Sequence, residues 1–175
     1  MYGNCCYLIM ESLNLKRTMY LTEDEIRDNA KVILGFDEKE PDVKQGTGQI
    51  TTFNQLGFKG VSDKPDGWYL PNDKQDIAII LETKSEKEDV FSEKHYAELV
   101  KNIEIAALQY KRVVGILYNG TDVRVIKYIK GSGQYEEIED VAKTLQNKRY
   151  YIALFKENRI NKQLIYSLTK KINDC

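Results

Sequence analysis

With 175 residues, 42% of them hydrophobic, the chain is long enough for one well-buried domain and too short for two ordinary ones. No apolar run approaches the roughly 18 residues of a membrane span, and the apolar residues 7–10 have neither a basic flank nor a small-residue cleavage site, so a cytoplasmic chain without membrane association is expected. A net charge of −1 excludes a protein that coats nucleic acid through bulk positive potential, while leaving room for a local phosphate-binding patch.

Residues 1–21 show no clear period and read as an N-terminal arm. At Thr22 the run T-E-D-E has the capping-box pattern, with acids in the first turn, and predicts a helix over 23–34 that stops at Gly35. Its apolar stripe is Ile26, Ala30, Ile33 and Leu34. Glu23 falls on the edge of that stripe and Glu25 well away from it; capping and dipole compensation are the plain explanation of both. Residues 37–48, with Pro41, Gly46 and Gly48 among charges, read as a loop, and residues 50–58 as an edge strand. Trp68, Tyr69 and Leu70 begin a short strand, Pro71, Asn72 and Asp73 form a turn, and residues 77–84 are a strand whose near-continuous apolar run over 77–81 is the pattern of a central strand covered on both faces.

After a charged loop over 85–89, a long helix is predicted from Ser92 to about Arg112, with Leu99, Ile103, Ala106 and Tyr110 stepping by three and four and Gln109 beside that face. The single histidine, His95, is too little for a zinc site built on two and reads as a polar position on this helix. Residues 113–118 and 123–129 are strands joined by an Asn119-Gly120 two-residue turn. Residues 138–147 suggest a short helix, 150–155 fit either strand or helix, and Ile160, Leu164, Leu168 and Ile172 mark an amphipathic terminal helix with Asn161 as its cap. Cys5, Cys6 and Cys175 have no metal-ligand spacing and are expected as free thiols. The order implies an α/β fold, a central mixed sheet flanked by helices on both faces.

The chemistry concentrates near residues 65–84. Glu82 and Lys84 are two apart in a strand and so share one surface, and the turn at Pro71 lets Asp66 double back alongside. Two carboxylates beside a lysine suit a hard, oxygen-preferring cation and a water molecule. On the residues alone a second reading stands beside it, in which Asp66 is a turn acid after proline and Glu82 with Lys84 is a same-face ion pair. No phosphate-cradling G-x-x-x-x-G-K-[ST] loop and no G-x-S-x-G elbow occurs. Pro41-Asp42 repeats the Pro-Asp pair without an acid-bearing strand of its own in reach.

Pro65-Asp66 followed by Glu82-Thr83-Lys84 at the end of a hydrophobic strand resembles the PD-(D/E)xK nuclease superfamily. T-E-D-E-I-R at 22–27, L-G-F at 34–36, K-P-D-G at 64–67 and G-I-L-Y-N-G-T-D-V-R-V at 115–125 are similar to the N-terminal nuclease domain of type I restriction subunits and single-chain, type IIG-like restriction-modification enzymes. The resemblance implies a restriction-endonuclease-like fold and a DNA endonuclease, with Mg²⁺, or Mn²⁺ in its place, held by Asp66, Glu82 and the Thr83 backbone carbonyl. Lys84 would position the attacking water, Glu23 would reach the metal through water, and Gln109 matches a glutamine of the helix after the lysine. Residues 22–149 would be the nuclease domain. Residues 150–175 would be a connector towards a spacer and an adenine methyltransferase, neither of whose motifs occurs here, so the chain is expected to be an N-terminal portion or a stand-alone relative. Recognition and methylation would come from further domains or subunits. The alternative is a catalytically inactive nuclease-fold module that binds nucleic acid or a protein partner.

Overall fold

A computed structural model describes residues 20–34, 36 and 40–139. Most of the expected arm, Gly35, the side chain of Ile33, the three cysteines and everything from residue 140, including all but Ile138 and Glu139 of the helix predicted over 138–147, the 150–155 segment and the terminal helix, lie outside the described residues.

Helix α1 (Glu23–Leu34) starts where the capping box puts it. The Thr22 backbone N donates to Glu25 Oε2 at 2.8 Å and the Glu25 N donates back to Thr22 Oγ1 at 3.4 Å, so two amide donors of the first turn are satisfied reciprocally. Ile26, Ala30 and Leu34 are buried as the periodicity requires.

The next segment departs from expectation. Residues predicted as loop contain an edge strand, β1 (Val43–Thr47), and the residues predicted as an edge strand contain instead a short helix, α2 (Phe53–Leu56). Gly46 pairs with Trp68 across the ladder and leaves room for its ring: a Cβ there would sit 3.0 Å from Trp68 Cζ2. Helix α2 is set by its own capping box, the Thr52 side chain accepting from Gln55 N while Gln55 accepts from Thr52 N. Two glycines in one case and an aromatic-rich run in the other hid these elements from local propensity.

Strands β2 (Gly67–Pro71) and β3 (Ile77–Thr83) form the expected antiparallel pair, and every position of β3 is buried. Helix α3 (Glu93–Ala107) is capped by the Ser92 side chain and ends short of the predicted Arg112. It is the crossover that a parallel β3–β4 pair requires, β4 being Arg112–Tyr118. Strand β5 (Val123–Ile129) returns through residues 119–122 rather than a two-residue turn. The buried Asn119 side chain holds this longer turn, accepting from the backbone N of Thr121 and Asp122 at 2.9 and 2.6 Å. A short edge strand, β6 (Tyr135–Glu137), was not expected from its acidic sequence. The six strands run in chain order across one mixed sheet, parallel only between β3 and β4.

Alternation along the strands builds two cores. Ile77, Ile79 and Leu81 pack with Val114 and Ile116 against α1, while Ala78 and Ile80 pack with Val113 and Leu117 against α2 and α3. Helices thus cover both sheet faces. No helix among the described residues is long and apolar enough to cross a membrane.

Helix α3 crosses β4 at Gly115, where a Cβ would lie 2.9 Å from Ile103 Cγ1 and 3.0 Å from Leu99 Cδ1, with Ile103 Cδ1 nearer still. Gly115→Ala is therefore expected to lower stability by about 1–3 kcal/mol through overpacking, read as a lower urea midpoint at unchanged slope.

Candidate active site

Asp66 immediately precedes β2, and the pairing Gly67↔Leu81 brings it to the end of β3 where Glu82, Thr83 and Lys84 lie. The other Pro-Asp pair is at the opposite end of the β1–β2 ladder: the Asp42 carbonyl accepts from Asn72 N at 2.8 Å, while the Asp66 carbonyl accepts from Gly48 N at 3.0 Å.

Glu82 and Lys84 turn to the α3 face of the sheet. Glu82 is buried, its Oε1 accepting from Asn102 Nδ2 on α3 and its Oε2 lying 3.8 Å from Lys84 Nζ. Lys84 Nζ is also 2.8 Å from Glu98 Oε2. His95 places Nδ1 3.4 Å from that same Glu98 oxygen and Nε2 3.4 Å from Glu88 Oε1. One helical stripe, His95, Glu98 and Asn102, therefore fixes the strand's acid and lysine. Sequence reading gave His95 no such part and passed over Glu98 and Asn102. A signal existed: His95 and Asn102 interrupt with polar groups the face that Leu99, Ile103 and Ala106 make apolar.

Asp66 is turned towards α1 instead. Its Oδ2 accepts from Thr83 N at 2.7 Å and Thr83 Oγ1 at 2.9 Å, capping the edge of β3 where β2 no longer supplies a carbonyl. Its Oδ1 accepts from Arg27 Nε at 2.9 Å and lies 2.8 Å from Arg27 Nη2. Arg27, buried on α1, also pairs with Glu23 Oε1 at 2.7 Å and Asp24 Oδ1 at 2.6 Å. Glu23 thus joins the group through Arg27. Gln109 does not: it lies two turns beyond Asn102, is exposed, and donates Nε2 to the Gly57 carbonyl at 2.8 Å.

Charge is unevenly matched here. Burial, reinforced by the nearby Asp66 charge, pushes Glu82 up to about 8, beyond what Lys84 and Asn102 offset. Burial and Asp66 likewise raise Glu23. For Lys84, burial works downwards, but the Glu98 hydrogen bond and the Glu82 charge outweigh it and hold the ammonium above its ordinary range. These partners favour the charged ammonium form of Lys84.

The donor set is carboxylate oxygen, the kind that Mg²⁺ prefers, and the uncompensated burial of Glu82 is what a cation would relieve. Among the described residues no three histidine, cysteine or acidic side chains are grouped as a metal site would need them. The residues fit an ion in kind, and the Arg27 guanidinium occupies the Asp66 Oδ1 that an ion would need.

Comparison with family models, curated proteins and solved structures gives no match to this chain.

Proposed function

We propose that the chain is a Mg²⁺-dependent DNA endonuclease module of the PD-(D/E)xK kind, with a restriction-endonuclease-like fold, acting in the cytoplasm within a restriction-modification system. The observation that carries the reading is the buried Glu82 carboxylate, 3.8 Å from Lys84 and left short of positive charge, with Asp66 near enough at the adjoining ends of β2 and β3 for its charge to act on it. The antiparallel β2–β3 pair followed by a helical crossover to a parallel β4 supports it as well. Asp66, Glu82 and the Thr83 carbonyl would hold the ion, which when bound supplies charge neutralisation on the phosphodiester and a more acidic water.

The remaining work falls to the chain's own groups. Asn102 takes Glu82 Oε1 and leaves Oε2 on the Lys84 side. Glu98, steadied by His95, keeps the Lys84 ammonium protonated and aimed, so that it can donate to the attacking water or to a phosphate oxygen. Recognition and methylation are assigned to further domains or subunits.

Wild type is expected to nick plasmid DNA with Mg²⁺ or Mn²⁺ and not with EDTA. Lys84→Ala should reduce that rate by about 10²-fold or more, and Glu98→Ala, which frees Lys84 without removing it, by a smaller factor. Undiminished cleavage in Lys84→Ala would sink the assignment. A second reading, a non-catalytic module that binds nucleic acid or a protein partner, is favoured by the full engagement of both Asp66 oxygens. Absence of both cleavage and Mn²⁺ binding heat, alongside retained DNA or protein binding, is its signature.

A further inference from the structure

We infer that Arg27 is a built-in occupant of the candidate cation site: a divalent ion gains Asp66 only by displacing the Arg27 guanidinium, and Arg27 thereby sets the ion concentration at which the site loads. This rests on the reading of Asp66 and Glu82 as ion ligands.

An ionised carboxylate offers about four acceptor positions. Thr83 N and Oγ1 take those of Asp66 Oδ2, and Arg27 Nε and Nη2 share Oδ1. The Thr83 bonds leave Oδ1 untouched and can persist beside an ion. The Arg27 contacts cannot, because guanidinium and ion would compete for one oxygen and repel each other. What makes displacement feasible is that Arg27 has somewhere to go. Glu23 Oε1 and Asp24 Oδ1 already hold it at 2.7 and 2.6 Å, and both acids lie at the solvent-facing first turn of α1 with 42% and 66% of their side chains exposed. Releasing Asp66 thus leaves Arg27 paired, avoiding the cost of an isolated buried charge. The two arrangements are a switch biased by the ion, and the ion's apparent affinity falls by whatever share of the protein keeps Arg27 on Asp66.

A clamp that merely aims Asp66 at the ion predicts the opposite sign, so the sign decides. Mn²⁺ is titrated by calorimetry into wild type and Arg27→Gln, each checked for folding by circular dichroism. Arg27→Gln is expected to bind about ten- to a hundredfold tighter, the range that breaking a hydrogen-bonded charge pair would cover. Should Arg27→Gln not fold, wild type still decides: the Arg27 Nε–H resonance is expected to move during a Mg²⁺ titration, with the midpoint that calorimetry gives. Binding in Arg27→Gln where wild type shows none also supports displacement. Weaker binding in the variant, or an Arg27 resonance unmoved at Mg²⁺ saturation, overturns the inference while leaving the ion site standing. Absence of binding in both proteins removes the ion site, and the inference with it.

Discussion

Glu82→Gln is expected to make the protein more stable than wild type at pH 8 and above in EDTA, while removing Mg²⁺-dependent cleavage. Glu82 holds its proton up to about 8 in the fold, against 4.5 as an ordinary carboxylate. Between those values the native state keeps a proton that the unfolded chain has released. Stability from this group is therefore fully present below pH 4.5 and is lost as pH rises through about 8. The loss is on the order of 5 kcal/mol at most, since each pH unit across that window is worth about 1.36 kcal/mol. Glutamine stays neutral throughout, and its Oε1 can still accept from Asn102 Nδ2, so the variant escapes this slope. Urea unfolding at pH 5 and pH 8.5 checks it: near-equal midpoints at the lower pH and a higher midpoint for Glu82→Gln at the upper. Parallel pH profiles for the two proteins would show that Glu82 is not a strained acid. Stability gained together with cleavage lost in Glu82→Gln would mark a site built for a ligand.

Asp66→Ala is expected to act in the reverse way, costing stability as well as activity. Thr83 is fully buried, and removing the Asp66 carboxylate leaves its N–H and hydroxyl without the acceptor they share. Arg27 keeps Glu23 and Asp24, which limits the damage on the α1 side. Loss of about 2–4 kcal/mol is expected, seen as a lower urea midpoint in EDTA. Asp66→Asn cannot repair both sides, since one amide oxygen serves either Thr83 or Arg27 while the NH₂ meets a donor on the other. Inactivity of Asp66→Ala alone is thus ambiguous between chemistry and folding, and Glu82→Gln is the cleaner separation. A wild-type midpoint in Asp66→Ala would mean that the Asp66–Thr83 bonds carry no stability.

Much of the frame was legible from local pattern. The T-E-D-E box located α1, the apolar run located β3 as a strand covered on both faces, and the three-four stepping located α3. The turn after Pro71 did return the chain so that Asp66 reached the end of β3. Local pattern failed where a long-range contact decided. Val43–Thr47 is a strand because it pairs along the whole of β2, Gly46 opposite Trp68, and residues 119–122 form a longer turn because Asn119 is buried and bonded into it, its Nδ2 donating to the Glu88 carbonyl at 2.7 Å. Gln109 is a candidate only through the family resemblance, and in the fold it lies just past the end of α3 and donates to the Gly57 carbonyl.

By itself the sequence determined that Glu82 and Lys84 share one face at the end of one strand, with Asp66 brought to that end by the turn after Pro71. Periodicity is a local property of the backbone, so residues two apart in a strand share a side whatever surrounds them. The tertiary structure alone decided what each group faces. It gave Lys84 to Glu98, Glu82 to Asn102, and Asp66 to Thr83 and Arg27. Each of these partners lies 14 or more residues along the chain from the group it holds, and burial and charge state depend on packing across that separation, which no local period encodes.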